Sequence, residues 1–233
     1  MDMRKITVGG IPAIIWGEPS ERVFLFVHGK LSSKEAAAQL AELVRRRGYQ
    51  TLSFDLPGHG ERDRAERCDV WNGVRDLRAV SDYVFARWKE VSLYACSLGA
   101  YLSLNLLGDR PLQRCLFQSP IVDMEHLTGK MMEWFGITPE RLEREKEIDT
   151  PVDLMTWDYY RYVLTHPTDS WPHPTFILCG GRDDLQSREV IGRFARENKA
   201  VLTVSENSAH AFMDEPDAEI VGRWIELSAD AKI

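Results

Sequence analysis

No stretch of the 233-residue sequence approaches the roughly 18 consecutive apolar residues that a membrane-spanning helix requires. The opening MDMRKITVGG also lacks the basic start, apolar run and small-residue cleavage site of a signal peptide. Together these absences predict a soluble, cytoplasmic protein with no membrane span. Cysteine is scarce: Cys68, Cys96, Cys115 and Cys179 form no C-x-x-C pair. That spacing suggests neither a disulfide framework nor a structural zinc site, and predicts buried, reduced thiols. Basic residues are in deficit, with 29 Lys and Arg against 36 Asp and Glu, a formal net charge of -7. Without a long basic run, no nucleic acid is expected as a partner. His126, His166 and His173 show no ligand spacing, so no metal is expected. Internal repeats and low-complexity tracts are also missing.

What is present is enough apolar content, 44%, for one large α/β domain or a core with a small insertion. RKITVGGIPAIIWGE predicts two short strands around Gly9 and Gly10, a hairpin signal. RVFLFVHG is a continuous apolar run of the kind buried on both faces of a sheet. Ser32 and Glu35 have capping-box spacing, and Ala37, Leu40, Ala41 and Val44 then recur at helical spacing, ending at Arg45 to Arg47 and Gly48. QTLSFDLP is a further strand, and Val74, Leu77, Ser81, Val84, Phe85 and Trp88 mark one face of a second helix. A strand over 91–96 leads into a helix from about 98 that is apolar nearly all round and so central. QRCLFQSP, TFILCGG and AVLTVSE continue as strands, with helices in SREVIGRFARENK and PDAEIVGRWIEL. Strand and helix alternating after a hairpin imply a mostly parallel sheet of about eight strands, covered by helices on both faces. Residues 124–170 break the alternation with GKMMEWFG, PERLEREKE and LMTWDYYRYVL. They predict a helical insertion between core segments 1–123 and 171–233.

Ser97 stands at the predicted strand-to-helix junction in ACSLG. A serine hydroxyl becomes a good nucleophile only beside a base that removes its proton, and that base needs a third group to orient it. Alone, Ser97 would be read as a helix N-cap. ACSLG, however, is close to the G-x-S-x-G elbow, in which a sharp turn lifts the serine above the sheet, with Ala95 replacing the first glycine. Past later strands lie Asp183 in ILCGGRDD and His210 in VSENSAHAFMDEP. The resulting order Ser, Asp, His differs from that of the chymotrypsin and subtilisin folds.

On VHGK, DLPGHGER, ACSLGA, GGRDDL and SAHAFMDEP, the chain resembles α/β-hydrolases of the esterase, lipase and thioesterase type over essentially its whole length. The resemblance implies that Ser97 is the nucleophile, His210 the general base and then acid, and Asp183 the group that orients the imidazole. It implies an oxyanion hole made of the Leu98 and Lys30 N–H groups, and a lid or cap at residues 124–170. PGHGER resembles a loop that many members carry near the pocket without its being catalytic. The implied partner is a small-molecule acyl substrate, with no cofactor.

Several alternatives stay open on sequence alone. Asp184 and Asp123 compete with Asp183 for the acid role, although the family spacing from Gly180 favours Asp183. His28 and His59 read as satisfied loop or core histidines, and Cys96 as an inert neighbour of the nucleophile. The same triad would serve an amidase, a peptidase or an acyltransferase, and the scaffold could also carry a non-catalytic receptor.

Overall fold

The computed structural model describes residues 2–231. β1 (Met3–Val8) and β2 (Ile11–Trp16) pair antiparallel through a two-residue turn at Gly9 and Gly10. Both glycines have positive φ, +58° and +88°, the backbone that matches the twist of a tight hairpin. β2 then pairs antiparallel with β4 (Tyr49–Phe54). The remaining pairings of this sheet are parallel, through β3 (Arg22–Val27), β5 (Glu90–Cys96), β6 (Leu112–Gln118), β9 (Thr175–Gly180) and β10 (Val201–Ser205). The eight-stranded order is β1-β2-β4-β3-β5-β6-β9-β10. The mostly parallel sheet of about eight strands read from the sequence is therefore present.

Alternation along the apolar strands builds two cores rather than one. Val23, Leu25 and Val27 of β3 face a layer that includes residues of α2 (Val70–Phe85), α3 (Leu98–Leu106) and α7 (Arg188–Glu197). Phe24 and Phe26 face the opposite layer, with α1 (Ala38–Arg45) and α8 (Asp217–Ser228). Such strands must be apolar on both sides, which is why RVFLFV has no polar alternation. β10 closes the sheet as an edge strand, more exposed than its neighbours.

Two local expectations are corrected. The capping box at Ser32 and Glu35 does not form, because the helix is entered through a tight 3-10 turn at Lys34–Ala37 whose N-cap residue is Ser33. Ala37, Leu40, Ala41 and Val44 are nevertheless the buried stripe. Residues 124–170 also hold more than helices. Besides α4 (Met124–Phe135), α5 (Pro139–Glu145) and α6 (Trp157–Thr165), they contain an antiparallel pair, β7 (Glu147–Asp149) and β8 (Leu154–Thr156). These strands have three residues each, too short to show periodicity in sequence. Cys115 and Cys179 are buried as expected, whereas Cys68 and Cys96 are half-buried, and all four thiols are free. Among the described residues no helix is long and apolar enough to cross a membrane.

Candidate active site

The parallel strands place the ends that carry the sequence-singled residues along one rim of the sheet. Ser97 fills the single position between β5 and α3, with φ 47° and ψ -118°. For a residue with a side chain this backbone is strained, by about 1–3 kcal/mol, and it persists only where surroundings hold it. The Ser97 N–H donates to the Gln118 carbonyl at 3.1 Å, and the Ser97 carbonyl accepts from Ala100 at 3.0 Å and Ile121 at 3.2 Å. Small neighbours make the turn possible. A Cβ added to Gly99 would lie 2.4 Å from the Val27 carbonyl oxygen, and one on Gly29 would lie 3.1 Å from the Ser97 Cβ. Ala95, which departs from the elbow pattern, is buried in the main core.

The structure brings Ser97, His210 and Asp183 into one hydrogen-bonded chain. Ser97 Oγ lies 2.8 Å from His210 Nε2, and His210 Nδ1 lies 2.8 Å from Asp183 Oδ2. The Asp183 side chain is 1% exposed and that of His210 is 14% exposed. The other Asp183 oxygen, Oδ1, accepts from the backbone N–H groups of Leu185 and Gln186 at 2.8 and 3.1 Å. Those two bonds fix the carboxylate so that Oδ2 faces the imidazole. With Nδ1–H donated to a carboxylate, Nε2 carries the lone pair that faces the serine.

Neither competing acid bonds His210 among the described residues. Asp123 caps α4 through the His126 N–H at 2.8 Å and pairs with Arg193 at 2.9 Å. Asp184 is exposed, and its carbonyl accepts from Lys130 Nζ at 2.5 Å. His166 bonds the Tyr162 carbonyl and His173 the Leu107 carbonyl, so each of these histidines has a local structural partner. Burial pushes the Cys96 thiol up to about 12, which keeps it protonated and unreactive beside the serine.

The Leu98 N–H opens α3, and the Lys30 N–H follows Gly29 in the loop after β3. Neither donates a hydrogen bond among the described residues. A helix N-terminus leaves its first N–H groups free and favours negative charge. The positive end of α3 therefore lies next to Ser97 Oγ.

Several residues that support the site escaped the sequence reading. Gln186 is buried, accepts from the N–H groups of Val122 and Asp123 at 3.1 and 2.9 Å, and donates to the Asp123 carbonyl at 2.9 Å. It thereby ties the acid loop to the loop after β6. Ser119 Oγ donates to the His210 carbonyl at 2.6 Å, and Ser208 Oγ to the buried Asp217 at 2.5 Å, so the histidine loop is held at both ends. All of these contacts are long-range or cross a loop, and none carries a spacing signal. Close approach also explains Gly180, where a Cβ would lie 2.3 Å from the Ser208 carbonyl.

A profile described as Alpha/beta hydrolase family matches residues 24–223. None of the curated proteins matches the chain. Among solved structures, the chain is similar to Est1E from Butyrivibrio proteoclasticus with ferulic acid bound, at TM-score 0.78 and 19% identity, with 96% of each chain covered. It is similar to alpha/beta hydrolase domain-containing protein 10 from mouse, at TM-score 0.78 and 16% identity, covering 99% of both chains. It is also similar to a thioesterase domain from the curacin biosynthetic pathway, at TM-score 0.62 and 17% identity, covering 97% of this chain and 98% of that one. At such identities the neighbours speak for the fold, while the profile spans most of the sequence, both cores and every rim loop just described. This chain belongs to the α/β-hydrolase family.

Proposed function

We propose that the protein is a serine hydrolase that cleaves a carboxylic ester or thioester of a small to medium acyl substrate. The observation that carries this reading is the Ser97–His210–Asp183 chain, 2.8 Å at each link, formed by residues far apart in sequence. Ser97 Oγ attacks the acyl carbon while His210 Nε2 takes its proton, and Asp183 holds the imidazolium that results. The negative charge on the carbonyl oxygen is met by the Lys30 N–H and by the Leu98 N–H that opens α3, neither of which donates elsewhere among the described residues. His210 then returns the proton to the leaving alcohol or thiol, leaving an acyl-serine. Water deprotonated by His210 releases the acid and restores Ser97. Residues 124–170 act as the cap, and the core is 1–123 with 171–233. Likeness to Est1E with bound ferulic acid, to a Pyrococcus furiosus esterase and to a thioesterase domain supports both acyl classes as substrates.

The test combines a fluorophosphonate probe with a panel of acyl esters of graded length and an acyl thioester. The probe is expected to label Ser97. Ser97→Ala should lower turnover by about 10⁶-fold, the scale of losing a triad nucleophile, while leaving the fold intact. Retention of a large share of the wild-type rate, with the probe attached elsewhere, would sink the assignment.

A further inference from the structure

Lys30 sits between two histidines that the catalytic chain does not use. We propose that His28 and His59 are positioning residues that clamp the two peptide planes flanking Lys30 and so aim its N–H at the developing oxyanion. The inference rests on the reading of the Lys30 N–H as an oxyanion donor.

The Gly29–Lys30 peptide carries the Gly29 carbonyl on one side and the Lys30 N–H on the other, pointing opposite ways because the bond is planar and trans. His28 Nδ1 lies 2.7 Å from that carbonyl oxygen. Since the oxygen can only accept, Nδ1 carries the proton. The other ring nitrogen, Nε2, accepts from the Leu56 N–H at 3.0 Å. His28 thus fixes the plane of the first peptide from a fully buried ring anchored in the loop after β4.

The next peptide carries the Leu31 N–H, which donates to His59 Nε2 at 3.1 Å. His59 Nδ1 lies 2.7 Å from the Pro57 carbonyl oxygen, which fixes the same tautomer. Leu31 has φ +61°, an uncommon backbone for a bulky residue, and the residue is 92% exposed. An exposed side chain offers little packing to hold the strained turn, and the His59 bond restrains it. The two rings sit 5.3 Å apart, and both are anchored on residues 56 and 57. The loop after β4 therefore grips both sides of Lys30, and among the described residues it makes no hydrogen bond to Ser97, His210 or Asp183.

The ring nitrogens can be tested separately, because an Asn side chain reaches about as far as Nδ1 and a Gln side chain about as far as Nε2. At His59, Gln keeps an acceptor for Leu31, whereas Asn keeps only the bond to Pro57. At His28 the order reverses: Asn keeps the bond to Gly29, and Gln keeps only the acceptor for Leu56. The clamp predicts that His59→Asn and His28→Gln lower kcat on 4-nitrophenyl butyrate by about 10²-fold, the scale of a misplaced reacting group, with KM little changed. His59→Gln and His28→Asn should stay near the wild-type rate. A purely structural role would not produce this crossed pattern. His59 is only half-buried, so its pair decides the matter even if the His28 variants fold poorly. Equal kcat for His59→Asn and His59→Gln would overturn the clamp. Ser97→Ala, run in parallel, separates the two levels. Its inactivity alongside an uncrossed histidine pattern removes the clamp alone, while its full activity removes the hydrolase reading and the clamp with it.

Discussion

His28 is fully buried with both ring nitrogens bonded, so protonating it in place would remove the acceptor that holds Leu56. Burial, helped by the neighbouring His59, lowers its pKa from 6.5 to about 4, although the Gly29 carbonyl, Asp55 and Glu35 pull the other way. Between those values the unfolded chain binds a proton that the native state refuses, so stability rises with pH across this window. The contribution is fully present above about pH 6.5 and is lost as the pH falls toward 4, by up to about 3 kcal/mol at 1.36 kcal/mol per pKa unit. Urea unfolding at pH 7.5 and at 4.5 should therefore show a larger loss for the wild type than for His28→Gln. Equal losses would mean that this ring does not set the acid sensitivity. Cys96 offers a second check at the same scale. Its thiol, raised to about 12 by burial, should resist iodoacetamide in the native protein at pH 8 while the fluorophosphonate reacts next door at Ser97. Rapid alkylation of Cys96 would show that the elbow is more open than its packing implies.

At the scale of the elements, the link between the turn entering α1 and the loop after β4 depends on a buried ion pair. Lys34 Nζ lies 2.7 Å from Asp55 Oδ2, with the side chains 1% and 0% exposed. Asp55 also accepts from the Lys34 N–H at 2.9 Å and the Glu61 N–H at 2.9 Å. Gly60 is needed there, since a Cβ would fall 2.1 Å from the carboxylate. Lys34→Met leaves a buried charge without its partner and should destabilise the fold by about 3–5 kcal/mol. Replacing both partners with apolar residues often restores stability at a buried pair, but here it would orphan two backbone N–H groups. The double variant Lys34→Met with Asp55→Leu should thus stay destabilised in urea titrations, and recovery to wild-type stability would refute the role given to the carboxylate. Lys34 also marks the limit of what the sequence discloses. It lies three residues before Ala37, ahead of the stripe that the sequence shows, and its burial emerges only in the structure. Its pairing with Asp55 was not readable, because Asp55 belongs to a different element. The same division holds at the site. Ser97, Asp183 and His210 stand at junctions that strand periodicity locates, and the structure brings them together. Gln186, Ser119 and the histidine clamp act through backbone groups on other loops, where no periodicity points. The missing capping box has a related cause: the 3-10 entry at Lys34 serves the tertiary bond to Asp55, which overrides the local pattern.

For the whole molecule, packing divides the inserted segment unevenly. The start of α4 and most of α6 join the main core through Met124, Leu127, Tyr159, Tyr162 and Val163. Met132, Ile137, Leu142, Ile148 and Met155 form a third core of their own. A cluster this small buries little apolar area, and apolar burial is the main force holding a unit closed. Beyond α4 and α6, its attachments to the body are largely polar. Lys30 Nζ donates to the Val152 carbonyl at 3.1 Å and pairs with Asp153, and Arg67 lies 3.8 Å from Glu147. Exposed pairs of this kind contribute about 0–1 kcal/mol each and weaken as salt rises. The unit around α5, β7 and β8 should therefore open at a free energy well below that of global unfolding. Native-state hydrogen exchange should show its amides exchanging faster than those of β3 and β5, and faster still at high salt, while the central strands keep their protection. Because the Lys30 side chain holds Val152 and Asp153 while its backbone sits between the two histidines, opening of this unit frees the side chain without disturbing the peptide planes. Asp153→Asn should accordingly speed exchange in β7 and β8 and leave kcat on small esters near wild type. Uniform protection across the chain, or a kcat loss in Asp153→Asn as large as that in His59→Asn, would show that insertion and oxyanion loop move as one body.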